Sequence, residues 1–201
     1  MAETTRACCF TGHRPENMGL ATLDENAQEY LLLKDVIRRE IQAKIEAGVC
    51  AFLTGCARGA DIICGEIVLE MKKSFPYVKL VCVLPFYGQE AKWSQRWKDR
   101  HANLLAHANA VVYVCANYSK AAFLERDRYM VDHSTDMIAI STGSDTGGTA
   151  YTIKQALKKQ LSCVIIHPGT RNIVRKNELQ AEQMQLEFPE NNWSPQSQKR
   201  G

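Results

Sequence analysis

Short apolar runs alternate along this chain with longer segments in which apolar residues recur every three or four positions, and that alternation predicts strands interleaved with helices. The runs fall at residues 6–10, 49–54, 78–84, 110–115, 135–140 and 162–167, the fourth of them apolar enough to read as fully buried. Leu33, Val36, Ile37, Ile41 and Ile45 form the stripe of a first helix, which Gly48 ends. Thr22 to Glu25 has capping-box form ahead of it. A second helix stops before Pro76, a third carries Trp93, Trp97 and Leu104 on one face, and Ser119 is placed to cap a fourth over residues 121–133. Ala150, Ile153, Ala156 and Leu157 mark a fifth. Strands alternating with helices imply an α/β domain whose central sheet is mostly parallel and covered on both faces.

Three strand-to-helix turns share a chemistry. In STGSDTGGT, residues 141–149, Gly143, Gly147 and Gly148 stand among Thr142, Thr146 and Thr149. The glycines let the backbone approach a ligand closely, and the following helix points its free N–H groups and positive dipole end into the loop, which suits phosphate. Thr11, Gly12, His13, Arg14 and Pro15 follow the first strand, and His13 and Arg14 offer donors there. Thr54, Gly55, Arg58, Gly59 and Asp61 follow the second. Arg58 suits bidentate binding of phosphate and Asp61 a ribose hydroxyl, or else Asp61 serves the helix dipole and Arg58 pairs with it. Phe86, Tyr87 and Trp93 follow the third strand, where an aromatic can stack on a base, although Trp93 and Trp97 equally fit a core face. Arg128 and Asp132 read as an i,i+4 pair on a solvated helix face, or as part of the site because the glycine loop comes next. In parallel sheets ligands bind beyond the carboxyl ends of the strands, where strand order reverses. Donors for phosphate, an acid for ribose and aromatics for a base together fit a nucleotide or a nucleoside-diphosphate sugar.

Composition narrows this picture. The 201 residues suffice for one domain, and 45% hydrophobic with 23% charged residues is ordinary for a globular protein. A net charge of +3 is too small to point to nucleic acid. The longest apolar run, 110–116, falls far short of the ~20 residues a membrane helix needs, and the N-terminus has no secretory pattern, so a cytoplasmic location is expected. The eight cysteines include no C-x-x-C pair and read as reduced core thiols, and the five histidines lack zinc spacing, so no metal and no cofactor are expected. Neither G-x-x-x-x-G-K-[ST] nor, after the first strand, G-x-G-x-x-G occurs. The expected organisation is a domain over 1–170 and a polar C-terminal extension over 171–201, with a short helix near 176–186 and then a frayed tail.

CCFTGHRP at 8–15, TGCARGAD at 54–61, LPFYGQEAKW at 84–93 and RYMVDHSTDMIAISTGSDTGGTAYTIKQA at 128–156 resemble the YpsA/YoqJ-type branch of the SLOG superfamily, over about residues 6–167. The resemblance implies a Rossmann-like three-layer sandwich that binds nucleotide-derived ligands, ADP-ribose and its relatives above all, and a homo-oligomer. Some relatives sense nucleotide signals in bacterial defence against phage. The superfamily's phosphoribohydrolases carry a loop like P-G-G-x-G-T-x-x-E. Here Gly148 and Thr149 match its G-T, but Thr152 stands at the glutamate and no proline precedes the glycines. Loss of that carboxylate disfavours hydrolysis.

The leading expectation is therefore a binder of an ADP-ribose-like or cyclic nucleotide signal, without turnover. It would act as a sensor in a bacterial cytoplasm or, if phage-encoded, as a sponge in the host's. The alternative is a nucleotide N-glycosidic hydrolase with Asp61 or Asp132 as acid or base. Single-stranded DNA binding, by analogy with another SLOG relative, would need a basic groove that the charge balance does not supply.

Overall fold

Residues 6–177 are described by the computed structural model. The apolar runs become strands β1 (Arg6–Gly12), β2 (Val49–Thr54), β3 (Lys79–Leu84), β4 (Ala110–Tyr113), β5 (Asp136–Ile140), β6 (Ser162–Ile166) and β7 (Ile173–Lys176). Between them lie helices α1 (Gln28–Glu46), α2 (Ala60–Met71), α3 (Gln95–His107), α4 (Ala122–Asp132) and α5 (Gly147–Lys158). The strands form one sheet in the order β4-β3-β2-β1-β5-β6-β7, parallel except where β7 runs antiparallel to β6. Successive residues of a strand point to opposite faces, so each strand feeds two cores. Cys8 and Phe10 join Phe52, Leu80 and Ile138 beneath α1, α2 and α3, with the Phe10 and Phe52 rings stacked at 5.7 Å. Cys9, Leu53, Val81 and Met137 face Met130 and Val131 of α4 and Ala156 of α5. The result is a three-layer α/β sandwich of Rossmann-like type.

Several local expectations need correction. β4 is an edge strand whose residues alternate between half-buried and exposed, because only one neighbour pairs with it. The capping box does not form. Thr22 Oγ1 accepts from the Asp24 N–H at 3.0 Å, and α1 starts at Gln28 without a side-chain cap. Glu25 instead turns inward, to Lys34 at 3.0 Å, Arg96 at 3.3 Å and Arg100. Three cations outcompete one helix terminus for that carboxylate. Trp93 precedes α3 and packs edge-on against His101. β7 lies in the stretch expected to be polar extension, and it carries the sheet to Lys176. The rest of the helix expected over 176–186, and the tail, lie outside the described residues. Among the described residues, no helix is long and apolar enough to cross a membrane.

At the amino end of the sheet, the fully buried Asp136 binds Arg6 at 3.1 Å and Lys44 at 2.8 Å, and Lys44 also reaches Ser162. This ties β1, α1, β5 and β6 together. Removing one member strands charges in a low-dielectric site, so Asp136→Asn should cost about 3 kcal/mol in urea unfolding. A loss below about 1 kcal/mol would show that the cluster is replaceable.

Candidate functional site

β1 and β5 are sheet neighbours, but β1 connects onward to β2 on one side and β5 to β6 on the other. Crossovers that diverge in this way open a crevice at the carboxyl ends of the two strands. It has a volume of about 440 Å³. Thr11, Gly12, His13 and Arg14 border it from the first loop, Asp61 from the start of α2, and Thr142, Thr146, Gly147, Gly148 and Thr149 from the third loop. The structure adds residues that sequence reasoning missed: Asn17, Ala57, Ser144, and Phe123, Arg126 and Asp127 of α4.

His13 braces the loops. Its backbone N–H donates to the Ile140 carbonyl at 3.2 Å, its carbonyl accepts from the Ala60 N–H at 3.3 Å, and ring Nε2 accepts from the Thr142 N–H at 3.1 Å. Burial and the nearby His167 lower its pKa, in keeping with a neutral ring that accepts there. The sequence offered His13 as an anion donor, but Nε2 is already committed.

Arg126 forms the inner wall. The guanidinium lies across Gly55, where a Cβ would overlap it, so any side chain there would have to displace Arg126. Nη1 is 3.5 Å from Asp61 Oδ2, and Nε is 2.7 Å from Asp127 Oδ1 in a charge contact too bent to be a hydrogen bond. The Thr152 hydroxyl lies 3.1 Å from Asp127 Oδ2 and 2.8 Å from the Gly148 carbonyl, and its single proton serves one at a time. Thr152 thus holds a carboxylate delivered from α4. Asp61 Oδ2 also accepts weakly from the Ala57 N–H at 3.4 Å. Burial, reinforced by Asp127 and opposed by Arg126, raises the Asp61 pKa to about 6.

Across the cleft, Arg14 is half-buried and makes no side-chain hydrogen bond or ion pair with another described residue. Burial lowers its pKa and Asp61 opposes that shift, but a guanidinium stays charged. Bordering the same cleft, α5 begins at Gly147, with φ of +89°, and Thr146 provides no side-chain cap. The first-turn N–H groups have no intrahelical partners. A Cβ at Gly147 or Gly148 would meet nothing within 4 Å, so the space before the helix is open.

Other sequence candidates stand elsewhere. Thr54 is buried, donating to the Asp61 carbonyl at 2.8 Å; Pro15 is buried; Gly59 is the residue before α2; Gly143 has no neighbour within 4 Å of a built Cβ. Arg58 pairs with Glu16 at 2.9 Å, neither with Asp61 nor in the cleft. Phe86 packs edge-on against Phe123 at 5.5 Å, behind the wall. Tyr87 borders a separate hollow. Arg128 reaches the Tyr151 hydroxyl at 3.4 Å and Asp132 pairs with Lys159, both on the exposed side of α4. Those two lie outside the cleft because the helix turns them away. Among the described residues no group of three His, Cys, Asp or Glu side chains is placed to hold a metal ion.

A doubly wound α/β sandwich with a polar crevice at its switch point defines the class. Within that class the chain belongs to the YpsA family of SLOG proteins, whose family model matches residues 8–173. It is 30% identical over 148 residues to a UPF0398 protein of Bacillus pumilus, covering 73% of this chain and 78% of the relative. A UPF0398 protein of Brevibacillus brevis is 24% identical over 151 residues, covering 74% of this chain and 79% of the relative. Among solved structures, DNA processing protein A of Helicobacter pylori, described as binding single-stranded DNA, superimposes with a TM-score of 0.51 at 18% identity. That match covers 90% of this chain and 74% of the other, and it shows the shared fold. SLOG membership points to nucleotide-related binding or processing.

Asp61 has a checkable consequence. Its folded pKa of about 6 lies above the ordinary carboxylate value, so the folded state holds the extra proton between about pH 4 and 6. Its contribution to stability is therefore greatest at the acid end and is lost as pH rises through that window, by about 3 kcal/mol at most. Asp61→Asn should flatten this part of the stability profile in urea titrations. An unchanged slope would mean that Asp61 ionises normally.

Proposed function

We propose that the cleft binds a phosphorylated, nucleotide-derived small molecule of the ADP-ribose type and releases it unchanged. The observation that carries this reading is Arg14, a half-buried cation whose side chain makes no hydrogen bond or ion pair with another described residue, bordering the same cleft as the uncapped start of α5. A guanidinium facing free N–H groups is a cradle for phosphate. The ribose then lies toward Asp61 and Asp127, which can accept from its hydroxyls. Both Asp127 oxygens are engaged by Arg126 and Thr152, which suits recognition better than proton transfer. A ligand held and returned intact fits a sensor of a nucleotide signal or a sponge that sequesters one.

Arg14→Ala should weaken ADP-ribose binding by about 30-fold in calorimetry, the cost of losing hydrogen bonds to a charged group. Its melting temperature should barely change, because the Arg14 side chain makes no hydrogen bond or ion pair with another described residue. Equal affinity in the variant would overturn the phosphate site. A steep salt dependence of oligonucleotide binding would replace this reading with nucleic-acid recognition.

One feature favours the hydrolase alternative: Asp61, with a pKa of about 6, is suited to carry a proton near neutrality. Free base and ribose phosphate accumulating from a nucleotide over hours, and absent with Asp61→Asn, would establish it. Intact ligand after the same time supports the binder.

A further inference from the structure

The loop after β3 borders a second hollow of about 400 Å³ at the same sheet edge. Its aromatic side is formed by Tyr87 and Tyr113, with ring centroids 6.1 Å apart and planes inclined by 46°. Tyr87 is 84% exposed and Tyr113 45% exposed, so neither ring is placed there to fill a core. Glu90 and Lys98 border the same hollow, and neither side chain makes a hydrogen bond or ion pair with another described residue. Two stacking surfaces, a free acceptor and a free donor are the equipment for reading a heteroaromatic ring by face and edge. A short relay of residues runs from the hollow to the cleft. Phe123 borders the cleft, Phe86 packs on Phe123, and Tyr87 is the next residue after Phe86.

We propose that this hollow receives the base of the same ligand whose phosphate sits between Arg14 and α5. The base stacks on Tyr87 with Tyr113 tilted against its edge, Glu90 accepts from an exocyclic amine, and Lys98 donates to a ring nitrogen. The class selected is an amino-substituted purine joined through phosphate to a second sugar or phosphate group. This inference rests on the proposed phosphate site for the rest of the ligand.

Three probes separate the two claims: ribose 5-phosphate for the cleft, adenosine for the hollow, and ADP-ribose for both. Tyr87→Ala should weaken ADP-ribose and adenosine about tenfold, the usual scale for one stacked base, and leave ribose 5-phosphate unchanged. Glu90→Gln should weaken both adenine probes while leaving the inosine counterpart of adenosine unaffected. Arg14→Ala should weaken ribose 5-phosphate and spare adenosine. If Tyr87→Ala binds ADP-ribose as the native protein does while ribose 5-phosphate still binds, the base subsite is wrong and the phosphate site stands. If ribose 5-phosphate fails to bind the native protein while adenosine binds through Tyr87, the phosphate reading fails and the subsite survives as a nucleoside site. Failure of all three overturns both.

Discussion

The Arg126 guanidinium is the fixed point of the cleft. A buried cation is tolerated only when paired, and its partners come from two elements: Asp61 of α2 and Asp127 beside it on α4. It reaches them only because Gly55, at the end of β2, has no Cβ in its path. Asp127 then takes the Thr152 hydroxyl, which brings α5 into the same group. One side chain thereby sets how β2, α2, α4 and α5 meet at the cleft wall. Two carboxylates share one guanidinium, leaving an excess of negative charge among buried side chains. Burial and that imbalance raise the Asp61 pKa, and Arg14 borders the same cleft close enough to oppose the rise.

Topology decides which loops contribute. The first and third loops meet because β1 and β5 are paired through Thr11 and Ala139 at the sheet's centre, and His13 then bonds them to each other. Gln89 extends the arrangement sideways. Its amide donates to the Gly55 carbonyl at 3.2 Å and faces His101 Nε2 at 3.3 Å, fixing the partition between the cleft and the tyrosine hollow. The ligand edge is therefore a run of braced loops. A substitution at Gly55 would disturb both hollows through its two neighbours.

Much of this was legible in the sequence because the strands are buried runs and each glycine loop follows one directly. The six parallel strands, the five helices and the three loops lie where hydrophobic period and turn residues placed them. The misses have physical causes. β7 is four exposed residues with no apolar period, stabilised by pairing with β6 rather than by its own pattern. Trp93 is drawn toward His101 by packing that helical spacing alone does not encode. On α4, Arg128 and Asp132 read either as a solvated pair or as part of the site, and they lie on the exposed face, while Arg126 and Asp127 are the ones turned inward. The signal was present: Arg126 and Asp127 lie one turn before the buried Met130 and Val131, so they share the core face, whereas Arg128 does not.

Thr152 shows why a missing residue is a weak guide to a missing function. At this position the phosphoribohydrolase-like pattern calls for glutamate, and its absence suggests that the site has no carboxylate there. The fold supplies one from another helix, since Asp127 reaches the Thr152 hydroxyl. Presence of a carboxylate is still not proton transfer. Asp127 lies 2.7 Å from Arg126 Nε at one oxygen and 3.1 Å from the Thr152 hydroxyl at the other. Asp61 is less tightly bound, with contacts of 3.4 and 3.5 Å to a single oxygen. The two carboxylates thus differ in their surroundings: Asp127 has a close charged contact, whereas burial and its neighbours raise the Asp61 pKa to about 6.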